Sequence, residues 1–153
     1  MVAAGIDPET LSSAAMGTQA NIEEIRRIYA ETKTIAVVGA TDGPERASHN
    51  VPFYLREQGY RIIPVNPRRA EALGVATVPR LLDVKEPVDV VDVFRPASEA
   101  PDIARDAVAI GAKVLWLQLG ISSDEAADIA SEAGLLVVMS RCMGQMHAKL
   151  GLG

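Results

Sequence analysis

Residues 35–50 read IAVVGATDGPERASHN, and this stretch decides the fold. Ile35 to Val38 are apolar without a polar interruption, as in a strand buried on both faces. Gly39 ends the run, small and polar residues follow, and a helical pattern begins at Val51-Pro52-Phe53-Tyr54-Leu55. Strand, glycine loop and helix form an anion site when the free N–H groups of the helix start face a ligand. The loop is neither Gly-x-Gly-x-x-Gly nor the lysine-bearing P-loop. Proline is tolerated in the first turn of a helix, so Pro52 places the start near Ser48–Asn50, with Ser48 or Asn50 as cap.

Outward from this stretch the chain alternates strand and helix. Further apolar runs occur at Arg61–Val65, Val88–Phe94, Val114–Leu119 and Leu135–Met139, after a first strand at Thr34–Val38. Helical patterns between them end at Gly59, Gly111 and Gly134, and a short final helix is expected over Gly144–Leu150. Asn21 with Glu24, and Ser122 with Glu125, are spaced as capping boxes. The segment Glu71–Val84, broken by Gly74 and Pro79, reads as a strap or single-turn helices. The pattern predicts an α/β protein with a doubly wound, five-stranded parallel sheet, strand order 3-2-1-4-5, and helices on both faces. Pro64 resists this order, because it removes a donor from an interior strand; it is read as the carboxyl end of the strand or a bulge. Residues 1–20 read as a flexible arm and residues 21–153 as one domain.

Composition narrows the function. The 153 residues are 48% hydrophobic and 23% charged, with net charge −5. A pI near 5.0 argues against nucleic acid as a partner, since a phosphate backbone demands a basic face. No apolar run is long enough to cross a bilayer, and the N-terminus lacks the pattern of a signal peptide, so no membrane association is expected. A single cysteine, Cys142, excludes an internal disulfide and fits a cytoplasmic location. His49 and His147 are far apart and suggest no metal site.

In such a sheet the ligand crevice lies beyond the carboxyl ends of the strands, at the switch point, here expected at the loops after strands 1 and 4. Four of the five loops on that rim carry arginine: Arg46, Arg68 with Arg69, Arg95 and Arg141. An anionic ligand is expected. A site for NAD wants an acidic residue after strand 2, whereas this chain has Asn66-Pro67-Arg68-Arg69. Arginines there suit an additional phosphate, either the 2′-phosphate of NADP or the 3′-phosphate of coenzyme A.

The segments TIAVVGA (34–40), YRIIPVNP (60–67), PVDVVDVFRP (87–96), AKVLWLQLGI (112–121) and VVMSRC (137–142) together resemble the small stand-alone CoA-binding proteins. The Rossmann-like domain of that family is similar to the CoA-binding domain of the succinyl-CoA synthetase α subunit. The resemblance implies coenzyme A or an acyl-CoA as ligand. Gly39, Ala40, Thr41, Ser48 and Asn50 would then hold the pyrophosphate. Val65, Asn66 and Pro67 would flank the adenosine, with Arg68 or Arg69 near the 3′-phosphate. Phe94, Arg95, Gln118, Leu119 and Gly120 would line the pantetheine path, and Arg141 and Cys142 would close its far end. The likeness carries binding without ligase chemistry, because the synthetase's phosphohistidine belongs to a second domain. Family members often have an aspartate before Arg-Cys and a glutamate before the downstream histidine; this chain has Ser140 and Met146.

No catalytic residue is assigned. His49 can donate to a phosphate but lacks a carboxylate partner, and His147 reads as a helix-packing residue. Trp116 reads as core rather than as an adenine platform. Cys142 either packs as a small hydrophobe or meets the thiol end of the ligand. Gln118 ends a buried strand and needs a hydrogen-bond partner. Asp89 and Asp92 are not expected to share a role. Two other readings stand beside CoA binding: an NADP-dependent oxidoreductase, and an interaction module that has lost its ligand. The partner expected is a small-molecule nucleotide, with a homodimer or an enzyme as the possible protein partner.

Overall fold

A computed structural model describes residues 19–152. Five parallel strands form the sheet: β1 (Thr34–Val38), β2 (Arg61–Val65), β3 (Val90–Val93), β4 (Val114–Leu117) and β5 (Leu136–Val138). Their order is β2-β1-β3-β4-β5, so the expected order 3-2-1-4-5 is corrected. Ile35 of β1 pairs with Ile62 on one side and Val90 on the other, which makes β2 the edge strand. Pro64 gives the physical reason. Arg61 N–H donates across to Lys33 O, so alternate residues Ile63 and Val65 face β1 while Ile62 and Pro64 face outward. The missing donor of Pro64 therefore falls on the free edge, where its carbonyl accepts from Val78 N (2.9 Å). Chain order reverses after β2, which moves the switch point to the gap between β1 and β3.

Helices cover both faces. Helices α1 (Ile22–Glu31), α2 (Ala47–Glu57) and α5 (Met143–Lys149) lie over Ile35, Val37, Val90, Val114 and Trp116. Helices α3 (Ala100–Ala109) and α4 (Asp124–Glu132) cover Ala36, Val91, Val93, Leu115 and Val137. Strand residues alternate between these layers, and every residue of β3 and β4 is buried. The segment 66–89 holds a short hairpin, Glu71–Ala72 with Val75–Ala76, and a 3₁₀ turn at Leu81–Asp83. Asp42 Oδ1 accepts from Leu73 N (2.6 Å) and Arg56 Nη1 donates to Leu73 O (2.8 Å), so the hairpin tip is tied to the first loop and to α2.

Asn21 and Glu24 form the reciprocal capping box of α1, with N···O distances of 2.8 and 2.9 Å. Asn21→Ala should cost about 1 kcal/mol of stability, read as a lower urea midpoint at unchanged slope. An unchanged midpoint would show that packing of Ile25, Ile28 and Tyr29 alone holds the helix. At α4 the cap is Ser123, which accepts from Ala126 N (3.1 Å), so the expected Ser122–Glu125 box is displaced by one residue. Of the arm assigned to residues 1–20, residues 1–18 lie outside the described residues. Gln19 and Ala20 dock on β5: Ala20 N–H donates to Val137 O (2.7 Å), and Gln19 Oε1 accepts from Met139 N.

Candidate functional site

The crevice begins where β1 ends. Gly39 has φ +94°, and a Cβ there would lie 3.0 Å from Phe94 O, so the β1 and β3 loops meet backbone to backbone. Helix α2 starts at Ala47 with Arg46 at the cap position and no side-chain cap. Ser48 and Asn50 thus lie inside the first turn, and the expected capping role is corrected. Pro52 sits in the second turn and cannot bond the Ser48 carbonyl four residues back. Thr41 N–H fills that vacancy (3.2 Å), and Thr41 Oγ1 shares a hydrogen bond with Ser48 Oγ (2.8 Å). His49 Nδ1 donates to the Thr41 carbonyl (3.1 Å), which locks the loop against the helix start. The N–H groups of His49 (3.0 Å) and Asn50 (2.9 Å) donate to Arg46 O, and no side chain caps those of Ala47 and Ser48 ahead of them.

A cavity of about 310 Å³ is lined by Gly39, Thr41, Asn66 and four arginines: Arg46, Arg68, Arg69 and Arg95. Asn66 braces it, donating from Nδ2 to Ala40 O (2.9 Å) and accepting at Oδ1 from Arg68 N (2.9 Å). Arg95 is partly engaged in a two-pronged ion pair with Glu99 (3.0 and 2.7 Å). Among the described residues neither Arg68 nor Arg69 is in an ion pair, although the carboxyl of Glu99, held below its ordinary pKa chiefly by Arg95, also feels the charge of Arg68. A contiguous recess of about 190 Å³ adds Val38, Val65, Pro67 and Arg80.

Beyond Phe94 the lining changes character. A cavity of about 570 Å³ opens between α2 and α5, walled by Val51, Tyr54, Phe94, Leu119 and Ile121, with Asn50, Gln118, Cys142 and Gln145 at its polar points. A Cβ at Gly144 would lie in ordinary contact, 3.4 Å from Val51 and Tyr54, so α5 packs closely on α2 here. Helix α5 is anchored by Tyr29, whose hydroxyl donates to Met143 O (2.6 Å), and by the Tyr54–His147 hydrogen bond (2.9 Å). His147 is 3% exposed and is ringed by Tyr29, Tyr54 and Tyr60; burial pushes its pKa down.

Most of the residues expected at the site line cavities beyond the carboxyl ends of the strands. Gly39, Thr41, Asn66, Arg68, Arg69 and Arg95 line the cationic cavity, Val65 and Pro67 the adjoining recess, and Asn50, Phe94, Gln118 and Cys142 the apolar cavity. Ala40, Ser48 and Gly120 line none of these cavities: Ala40 is fully buried, Ser48 braces Thr41, and Gly120 N donates to Ser140 Oγ (3.1 Å). Arg141 does not join the other arginines; it lines a recess with Gln19, Met139 and Lys149 that shares Leu119, Cys142 and Gln145 with the apolar cavity. Its carbonyl accepts from Trp116 Nε1 (2.8 Å), and Trp116 is wholly core. The inward walls supplied by Val51, Tyr54, Ile121 and Gln145 went unassigned in the sequence, although the apolar face of α2 was the signal. Asp92 also went unassigned. It is fully buried, and Gln118 Nε2 donates to its Oδ1 (2.5 Å), which supplies the partner that Gln118 requires. Asp89 instead lies at the opposite end of the sheet, where Oδ2 accepts from Lys33 N and Thr34 N.

The chain is a Rossmann-like α/β protein with a cationic cavity and an apolar cavity beyond the carboxyl ends of its strands. The chain belongs to the CoA binding domain family, whose match runs over residues 33–148. It is 42% identical to the Bacillus subtilis protein YneT over 125 residues, 82% of this chain and 93% of that one. The solved structure of cell-free ID.343 from Thermus thermophilus is 47% identical, with TM-score 0.81, covering 86% of this chain and 99% of that chain. The ADP-forming acetate–CoA ligase II of Archaeoglobus fulgidus is 29% identical over 94 residues, 60% of this chain but 14% of the ligase. Among the described residues no helix is long and apolar enough to cross a membrane.

Proposed function

We propose that this protein binds coenzyme A or an acyl-CoA, with the nucleotide phosphates among the arginines and the pantetheine arm in the apolar cavity. One observation carries this reading: neighbouring residues Phe94 and Arg95 line the apolar and the cationic cavity respectively, so the two lie to either side of one backbone segment. Coenzyme A has that same polarity, a phosphorylated nucleotide followed by a long and weakly polar arm. NADP offers a second ribose and a nicotinamide in place of the arm, which fits a wall of Val51, Phe94, Leu119 and Ile121 less well. Ligase chemistry is not part of the proposal. His147 is enclosed by tyrosines and is not presented as a phosphoryl carrier. The role is sensing, carrying, or delivery to a partner enzyme, in the cytoplasm.

Calorimetry and thermal melting with CoA, acetyl-CoA, dephospho-CoA, NADP and NAD test it. At a hundredfold excess over Kd, CoA should add about 2.7 kcal/mol of stability. Dephospho-CoA should bind more weakly, and NAD least. NADP stabilising the protein where CoA does not would favour an oxidoreductase; no response to any nucleotide would leave an interaction module.

A further inference from the structure

Asp92 lies on β3 between Val37 of β1 and Trp116 of β4, with no exposure to solvent. Its Oδ1 accepts from Gln118 Nε2, while Oδ2 has no partner. A buried polar atom without a partner costs stability, so a central strand would be better served by valine unless the carboxyl has another task. Gln118, 4% exposed, lines the apolar cavity. With Nε2 turned down to Asp92, Oε1 is the end of the amide left to the ligand. A carboxylate only accepts hydrogen bonds and holds Gln118 in this orientation; a carboxylic acid also donates, and then the amide can turn and present its NH₂ group.

We propose that Asp92 is a proton-linked positioning residue: when ionised, it fixes Gln118 with its oxygen toward the cavity and so selects an arm that carries amide N–H donors. The inference rests on the coenzyme A reading, since pantetheine is such an arm. Burial pushes the Asp92 carboxyl up to about 7, against the smaller opposing effect of the Gln118 hydrogen bond. The titratable groups on the elements packed over this face are Tyr29 of α1, Tyr54 of α2, Tyr60 ahead of β2, and Cys142 and His147 at α5. Burial raises the pKa of Tyr29 and of Tyr60 and lowers that of His147, which keeps all three uncharged near pH 7. Binding of the arm favours the ionised carboxyl, so affinity rises as pH increases through about 7.

The test is calorimetry on the full chain between pH 6 and 8 with two ligands, CoA and the methyl ester of 3′-phospho-ADP. That ester carries the 3′-phosphate and, like CoA, a 5′-pyrophosphate diester that does not ionise near pH 7, but no arm, so the ratio of the two affinities removes the titration of the shared 3′-phosphate. In the wild type the ratio should rise by up to about tenfold, one hydrogen bond's worth. In Asp92→Asn, which has no carboxyl to titrate, it should be smaller and independent of pH. A wild-type measurement stands even where that variant does not fold: the infrared difference spectrum on adding CoA at pH 7 should show loss of a buried carboxylic-acid carbonyl band. A flat wild-type ratio, or no change in that band, overturns the role of Asp92 while leaving CoA binding intact. Failure of both ligands to bind overturns the coenzyme A reading and this inference with it.

Discussion

Reversing both charges in Arg68→Glu with Arg69→Glu should weaken CoA binding by about a hundredfold or more, and dephospho-CoA binding by clearly less. Both arginines line the cationic cavity and neither is in an ion pair among the described residues. A hydrogen bond to a charged group is worth about 1.5–3 kcal/mol, and each 1.4 kcal/mol is tenfold in affinity. Losing two such partners and placing two carboxylates against a phosphate therefore exceeds tenfold comfortably. The other two arginines compensate poorly, since Arg95 is clamped by Glu99 and Arg46 is 3.9 Å from Glu45. Both substituted side chains are exposed, so folding should persist, which circular dichroism checks. Calorimetry with the two ligands then decides the matter. Equal losses for both would mean that the pair supplies a diffuse field and does not recognise the 3′-phosphate.

Trp116→Ala should lower stability by about 3–5 kcal/mol, well beyond the loss of a helix cap. Trp116 is wholly buried at the centre of β4, and its ring lies 5.7 Å from that of Tyr29. Alanine leaves a cavity in the layer shared with α1 and α5, and it also removes the donor to the Arg141 carbonyl (2.8 Å). Domains of this size have on the order of 5–15 kcal/mol in total, so the urea midpoint should fall steeply and the melting temperature by roughly 10 °C or more. Circular dichroism is the suitable probe, because the variant has no tryptophan. A stable variant that loses only ligand affinity would restore the adenine-platform reading of this side chain.

The residues that reported their structure locally are those whose partners are near in sequence. Asn21 and Glu24 close their capping box within one helical turn, and the unbroken apolar run Thr34–Val38 could only be a buried strand. The helix start at Ala47 was less visible, because Pro52 is tolerated in a second turn when a remote donor, Thr41 N–H, takes the carbonyl it leaves idle. Strand order was misjudged although Pro64 held the clue. A proline without room for a ladder bond belongs on an edge, and placing β2 there leaves β3 to pair with β1. Arginines read from four loops proved to be three loops' worth of one cavity, with Arg141 elsewhere, since a loop's position in the chain does not say which way its side chains turn.

By itself the sequence determined the α/β class, the five strands, the helices on both faces and the family, because hydrophobic periodicity and short motifs are local properties of the chain. Only the tertiary structure decided that β1 and β3 flank the switch point, that α5 closes an apolar cavity against α2, and that Asp92 lies beneath Gln118. Each of these is a contact between residues far apart in the chain, set by how the sheet is ordered and how closely Gly39 lets the loops after β1 and β3 approach. IAVVGATDGPERASHN holds the strand and the loop that line the cationic cavity; the fold alone placed an apolar cavity on the other side of Phe94-Arg95.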